Sequence, residues 1–271
     1  MGALIDIKEK KQEKKMRVID GKQPEKPHMT KSGIKKRTPN NQSPDRWVDP
    51  IRSMDDINLV KEYLLSKIEK ARKAKRLDWT QAARRNYLYF VMGINIGIRA
   101  SDMLKLTWAN IYYKDTIKHK STIKEQKTGK TIDLYFSSKI RELIANYVEE
   151  CQIEIKPKKY VFIDGFERKL TDREMLSANA RIDVMMKDIM KNCEGGLQHD
   201  HDGTYKQCKY AARSIRKTFA YQRYLILVQK NDPLALAKVQ KYLNHRDQLT
   251  TLRYLGLSQN ENSLLAEDLD L

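Results

Sequence analysis

Moving a phosphodiester bond makes three demands on side chains. Planar guanidinium groups can hold the non-bridging oxygens through paired hydrogen bonds. A nucleophile must stand in line with the departing oxygen, and a proton donor must meet that oxygen as it leaves. No metal is obligatory where enough cations are fixed in place. Groups of these kinds occur in order along this chain. Gly97-Ile98-Arg99-Ala100-Ser101-Asp102-Met103-Leu104-Lys105-Leu106 sets an arginine just after a glycine, at a helix junction. Glu125-Gln126-Lys127-Thr128-Gly129-Lys130 puts lysines on a hairpin tip. Arg213-Ser214-Ile215-Arg216-Lys217-Thr218-Phe219 opens a helix with clustered cations. Leu243-Asn244-His245 ends a helix, and Tyr254 follows nine residues after the histidine.

Residues so far apart meet only if the intervening elements carry them together. Asp55 and Asp56 suit a helix N-terminus, and Ile57, Val60, Tyr63, Leu64 and Ile68 recur at helical spacing. Thr80 is the expected cap of a second helix, running through Tyr87, Phe90, Val91 and Ile94 toward Gly97. A short helix from Ala100 to about Trp108 follows. The period then changes, and Ser121–Glu125 and Thr131–Phe136 read as a β-hairpin with a glycine turn. Ser137 or Ser138 caps a helix to about Glu150, with Ile140, Leu143, Ile144 and Tyr147 on one face, and Lys159–Ile163 fits a short strand. Helices are expected over 171–192, 211–229, 233–243 and 247–255, with Pro233 at the first position of the third. Residues 194–209 read as a loop. The fold class is mainly α with a small antiparallel β-sheet (α+β).

A chain of 271 residues has room for one large domain, or for one domain plus an arm. With 40% apolar residues, 14 Tyr and 5 Phe, it can build a real core. No apolar run approaches a membrane span, and the start, MGALIDIKEKKQEKK, lacks the apolar stretch of a signal peptide. Cys151, Cys193 and Cys208 are too few for a disulfide framework and point to a reducing compartment. Lys and Arg total 53 against 35 Asp and Glu, a net charge of +18 that calls for a polyanionic partner such as nucleic acid. Residues 1–47 hold 13 Lys or Arg against 6 Asp or Glu, and five of the seven prolines fall in the first fifty positions. This stretch reads as a flexible basic arm, with room for a short helix around Ile7–Ile19. Residues 48–260 read as the folded domain, and 261–271 as an amphipathic acidic tail.

The ordered set resembles the catalytic domain of the tyrosine recombinases, the phage integrase family of DNA strand-exchange enzymes. The run from Gly97 to Leu106 resembles the family's first arginine motif, Arg216–Phe219 the second, and Leu243–His245 with Tyr254 the closing block. The resemblance covers about residues 48–260. It implies the tyrosine recombinase catalytic-domain fold and site-specific cleavage and rejoining of double-stranded DNA, in the integration or excision of a mobile element. Arg99 and Arg216 would clamp the scissile phosphate, and Lys127 would protonate the departing 5′ oxygen. His245 would donate to a non-bridging oxygen or orient the tyrosine. Tyr254 would attack, leaving a 3′-phosphotyrosyl link. No cofactor or metal is implied. A tetramer on paired sites is, together with an accessory DNA-bending or directionality factor. So is a cytoplasmic, nucleoid-associated setting for a bacterial or phage-encoded protein.

Three departures stand out. The histidine that members usually carry three residues before the second arginine is Arg213, which cannot act as a base because its pKa lies above ~12. The family glycine before the late histidine is Asn244. The arm stands where most members have a helical core-binding domain, and is too short and too polar to form one. A non-catalytic DNA-binding regulator therefore remains a rival reading. A type IB topoisomerase shares the attacking tyrosine and the cation clamp, but the closing block argues against it.

Several residues admit a second role. Lys130 competes with Lys127 as proton donor. Arg213 could contact backbone phosphate or pair with an acid, and His245 could be a helix C-terminal cap. Lys35, Lys36, Arg37, Lys130 and Lys217 are expected to meet DNA, although the arm's lysines could be only a solubilising tail. Cys193, His199, His201 and Cys208 match no common zinc spacing and read as a solvated loop. The acidic tail could dock in cis or on a neighbouring subunit.

Overall fold

The computed structural model describes residues 48–164, 167–193 and 209–257. The arm with Lys35, Lys36 and Arg37, most of the 194–209 loop with His199, His201 and Cys208, and the acidic tail lie outside the described residues.

Helix α1 (Met54–Lys73) starts where Ser53 accepts a 2.9 Å hydrogen bond from the Asp56 amide, with Asp55 and Asp56 facing the positive end of the helix. Its Ile57, Val60, Leu64 and Ile68 are buried, as their spacing requires. Helix α2 (Leu77–Ile96) begins three residues before the expected Thr80 cap. Thr80 instead sits buried in the first turn and donates its hydroxyl to the Arg76 carbonyl at 3.0 Å. Arg76 and Asp78 form a two-pronged pair at that end. The helix stops at Gly97, whose φ of +68° is a left-handed conformation that glycine adopts without strain.

The helix expected from Ala100 to Trp108 is two. Helix α3 (Ala100–Leu104) ends early, and Thr107 with Asn110 caps a separate turn, α4 (Trp108–Ile111). The break lets the Leu106 carbonyl and the Trp108 amide bond Val161 and Lys159, at 2.9 and 3.0 Å. The expected strand at Lys159–Ile163 is thereby reduced to one bridge, between Tyr160 and Thr107.

Strands β1 (Tyr112–Tyr113) and β2 (Thr116–Ile117) form a small pair that the sequence pattern did not reveal. The expected hairpin is present as antiparallel β3 (Lys120–Lys124) and β4 (Thr131–Tyr135), in register Lys120↔Tyr135 through Lys124↔Thr131. Ser137 caps α5 (Ser138–Glu150). A reciprocal Thr171–Glu174 box opens α6 (Asp172–Asn192). Helix α7 (Ala212–Gln229) is followed by α8 (Ala235–Leu243) and α9 (Gln248–Leu255). Pro233 lies in the turn before α8, because Asp232 accepts from both Leu234 and Ala235 and holds that turn closed.

A large apolar cluster joins α1 to α6 and reaches Ile215, while Phe219, Ala220, Tyr221, Val239, Leu243 and Leu255 form a smaller one. Helix α7 belongs to both, so it links α2 and α3 to α8 and α9. It also presses closely on α2. A β-carbon at Gly93 would lie 2.3 Å from Ile215, and one at Gly97 would lie 2.1 Å from the Phe219 ring. Cys151 and Cys193 are buried free thiols, and burial pushes both up to about 11. No described helix is long and apolar enough to cross a membrane.

Candidate active site

The close seam between α2 and α7 sets the two candidate arginines near one another. Arg99 leaves the Gly97 turn as the cap residue of α3, and Arg216 lies on the second turn of α7. Between them stands Glu125, the residue after β3, which is 1% exposed. Its Oε1 contacts the Arg99 guanidinium and lies 3.5 Å from Arg216 Nη1. Its Oε2 accepts from the Thr128 hydroxyl at 2.6 Å. Burial pushes the Glu125 carboxyl up, but hydrogen bonds from Arg99 and Thr128 and the charges of Arg99 and Arg216 outweigh it, so the pKa lies below the ordinary value. The Arg99 side chain is 23% exposed and Arg216 8%, so the pair is reached from the Arg99 side.

Helices α8 and α9 bring the later residues to the same place. Arg216 Nη2 donates to the Leu243 carbonyl at 3.2 Å, pinning the end of α8. Asn244 then turns the chain with φ +57° and ψ +46°, left-handed values that glycine and asparagine tolerate best. His245 Nδ1 lies 3.2 Å from the Thr251 hydroxyl, which ties the ring to α9. Asp247 caps that helix through the Thr250 amide at 2.6 Å. Tyr254 in its last turn is half-buried, and its ring centroid lies 4.9 Å from that of His245, edge to face.

The electrostatics follow from burial among cations. Burial raises the Tyr254 phenol above its ordinary value, while the charges of Arg216, Arg99 and Arg213 pull it back. Burial, with Arg216 and Arg99, lowers His245, against the opposing charge of Asp247. At neutral pH the imidazole is therefore mostly neutral, with one ring nitrogen able to donate.

The chain matches the model of the Phage integrase family over residues 65–261. It belongs to the phage integrase family. Among its relatives is the "Probable integrase/recombinase YoeC" of Bacillus subtilis (strain 168), 26% identical over 213 residues, which cover 79% of this chain and 92% of that protein. Among solved structures it resembles the XerA recombinase, at 14% identity and a TM-score of 0.48, over 84% of this chain and 68% of that one. It also resembles the XerH site-specific recombinase in a pre-cleavage complex with its difH substrate, at 18% identity and a TM-score of 0.48, over 81% and 53% of the two chains. A third match is the Tn1549 transposon integrase with circular intermediate DNA, at 16% identity and a TM-score of 0.37, over 69% and 58%. The chain thus spans little more than half of those last two.

Set against the phage integrase motifs, Arg99, Arg216, His245 and Tyr254 gather at one place. Arg213 is exposed, yet near enough for its charge to act on Tyr254 and Lys217. Asn244 fits the family's glycine position because the backbone there is left-handed. Lys127 is exposed on the hairpin turn and makes no hydrogen bond or ion pair among the described residues. Lys130 reaches across to the Asn244 side-chain oxygen, next to His245. Lys217, expected at the DNA surface, is buried, with Nζ donating to the Val48 carbonyl at 2.7 Å and lying 5.3 Å from the Tyr254 ring centroid. Burial lowers its pKa to about 8. Among the described residues no group of three His, Cys, Asp or Glu is placed to hold a metal ion.

Glu125 was not singled out in the sequence, although its signal was there. It continues the inward alternation Ser121, Ile123, Glu125 along β3, so a carboxylate falls on the buried face. Glu125→Gln should cost about 1–3 kcal/mol of stability at pH 7. The folded-state pKa lies below the ordinary 4.5, so the stabilisation is present above that pH and is lost as pH falls through the folded value. Melting curves of the two proteins should begin to converge below pH 4.5 and meet once the pH has fallen below the folded value; a gap that persists below both would assign the effect to shape rather than charge.

Proposed function

We propose that this chain is a site-specific DNA recombinase that cleaves and rejoins duplex DNA through a 3′-phosphotyrosyl link on Tyr254. The convergence of Arg99, Arg216 and His245 beside the Tyr254 ring supports this reading. A phosphate entering from the exposed Arg99 side would meet two guanidiniums, which hold its non-bridging oxygens and oppose the charge gained as the tyrosine attacks. His245 orients the tyrosine or donates to a non-bridging oxygen. Lys127, exposed on the hairpin turn, protonates the 5′ oxygen as it leaves, and Lys130 stays near Asn244 to meet the backbone. The covalent link conserves the energy of the broken bond, so a second DNA end can reverse it without a nucleotide.

On this reading residues 48–260 are the catalytic domain, residues 1–47 grip phosphates through Lys35, Lys36 and Arg37, and the 261–271 tail mediates packing. The protein works as a tetramer on paired sites, with an accessory DNA-bending or directionality factor, at the nucleoid, in the integration or excision of a mobile element. The test is to incubate it with nicked duplexes from the ends of its own element and run a denaturing gel. A covalent adduct whose DNA maps to the Tyr254 peptide supports the enzyme. Tight, specific binding without an adduct on any such substrate favours a regulator, the reading that Arg213 motivates.

Arg213 supplies charge near Tyr254 but accepts no proton at neutral pH. Arg213→His should therefore speed adduct formation, by about 10²-fold for a restored proton acceptor. A slower variant would show that the arginine's charge matters more than a base.

A further inference from the structure

Immediately before α1, residues Val48–Arg52 run as a strap along α7. The Asp49 amide donates to the Lys209 carbonyl at 2.8 Å, and Asp49 Oδ2 accepts from the Lys209 amide at 3.0 Å. Lys217 Nζ holds the Val48 carbonyl at 2.7 Å. The amide of fully buried Ile51 donates to the Thr218 hydroxyl at 2.8 Å, and Gln222 Nε2 donates to the Arg52 carbonyl at 2.6 Å. The strap is thus fixed at successive turns of α7 before its side chain Arg52 reaches out.

Arg52 reaches the end of the helix that bears Tyr254. Its guanidinium lies 5.4 Å from the Tyr221 ring centroid on α7, and Nη2 donates to the Gly256 carbonyl at 3.2 Å. Gly256 is the left-handed cap of α9, at φ +75°, two residues after Tyr254. A β-carbon there would stand 2.8 Å from Arg52 Nη2, so the cap and the guanidinium are fitted to one another. The terminal carbonyls of a helix carry partial negative charge, which a cation at this end stabilises. The Lys217 ammonium, which holds the strap at the Val48 carbonyl, lies 5.3 Å from the Tyr254 ring centroid. Two cations joined through the strap therefore meet the Tyr254 ring and the cap that follows it.

We propose that Arg52 is a positioning residue for the nucleophile: by tying the Gly256 cap to α7 it sets where the Tyr254 phenol can stand. This rests on Tyr254 being the nucleophile. A loosened α9 would still allow DNA to bind, because Arg52 is spent on the protein's own carbonyl, but the phenol would reach its attack position less often.

Arg52→Ala should slow single-turnover adduct formation on a saturating nicked duplex by about ten- to a hundredfold, while DNA affinity stays within about twofold of the unaltered chain. Arg52→Lys, which keeps a cation able to reach the Gly256 carbonyl, should recover much of that loss and guards against a merely unfolded alanine variant. Amide hydrogen exchange without DNA should rise in the 250–257 segment of both variants, more in the alanine form, and stay unchanged in α1 and α5. Unchanged exchange in α9 overturns the proposal whether or not any adduct forms. So does a wild-type cleavage rate in Arg52→Ala when the unaltered chain forms a Tyr254 adduct. Absence of any Tyr254 adduct, with α9 still loosened in the variants, would instead overturn the nucleophile and leave the tether standing.

Discussion

Tyr254→Phe will form no detectable adduct with a nicked duplex that traps the unaltered chain, a loss of about 10⁴-fold or more if the phenol oxygen is the nucleophile. The ring itself is kept, so its packing against His245 and the Lys217 ammonium survives. What disappears is one half-buried hydroxyl among arginines. A stability change within about 1 kcal/mol is expected, the usual scale of one hydrogen bond. Equal melting curves with no adduct would therefore locate the defect in chemistry and not in folding. An adduct formed by the phenylalanine variant would show that another side chain attacks.

The second large effect concerns Arg216. Its guanidinium reaches Glu125 with Nη1 and the Leu243 carbonyl with Nη2, and it lies near enough to stabilise a Tyr254 phenolate. Lysine keeps the charge but offers a compact ammonium in place of a planar fork, and cannot span both partners. Arg216→Lys should thus lose about 10³-fold in adduct formation, the scale of removing one preorganised donor from a transition state. Arg216→Ala goes further and leaves the Glu125 carboxylate facing Arg99 alone. It should cost about 1–3 kcal/mol in urea unfolding, because Arg99 still pairs with the carboxylate. If Arg216→Lys cleaved within tenfold of the unaltered chain, the paired-guanidinium clamp would be wrong.

How far the sequence announces all this depends on the range of the interaction. The hairpin was legible because alternation and a glycine turn are local, and its strands lie within one residue of the expected bounds. Asp55, Asp56 and Ser137 marked helix starts for the same reason. Thr80 and Pro233 misled by a few residues, since each suits a first turn and a neighbouring backbone group decided the actual start. The break after Leu104 was not visible, because it is imposed by the chain near Tyr160. In the site, the arginines, His245 and Tyr254 were legible from motif order. Glu125 escaped because its meaning depends on Arg216, 91 positions away, and Arg52 because it meets Gly256 across 204 positions. Lys217 misled for the opposite reason. A cation in a basic run suggests solvent, yet this one sits on the inward side of α7, under the strap.

The contacts at Gly93 and Gly97 carry a consequence for the width of the clamp. At both points an α7 side chain, Ile215 or Phe219, packs directly on bare glycine backbone. Any methyl group placed there would act as a wedge, prying the α3 junction away from α7. The spacing of the two guanidiniums, with the Glu125 carboxylate between them, therefore depends in part on side chains that are missing.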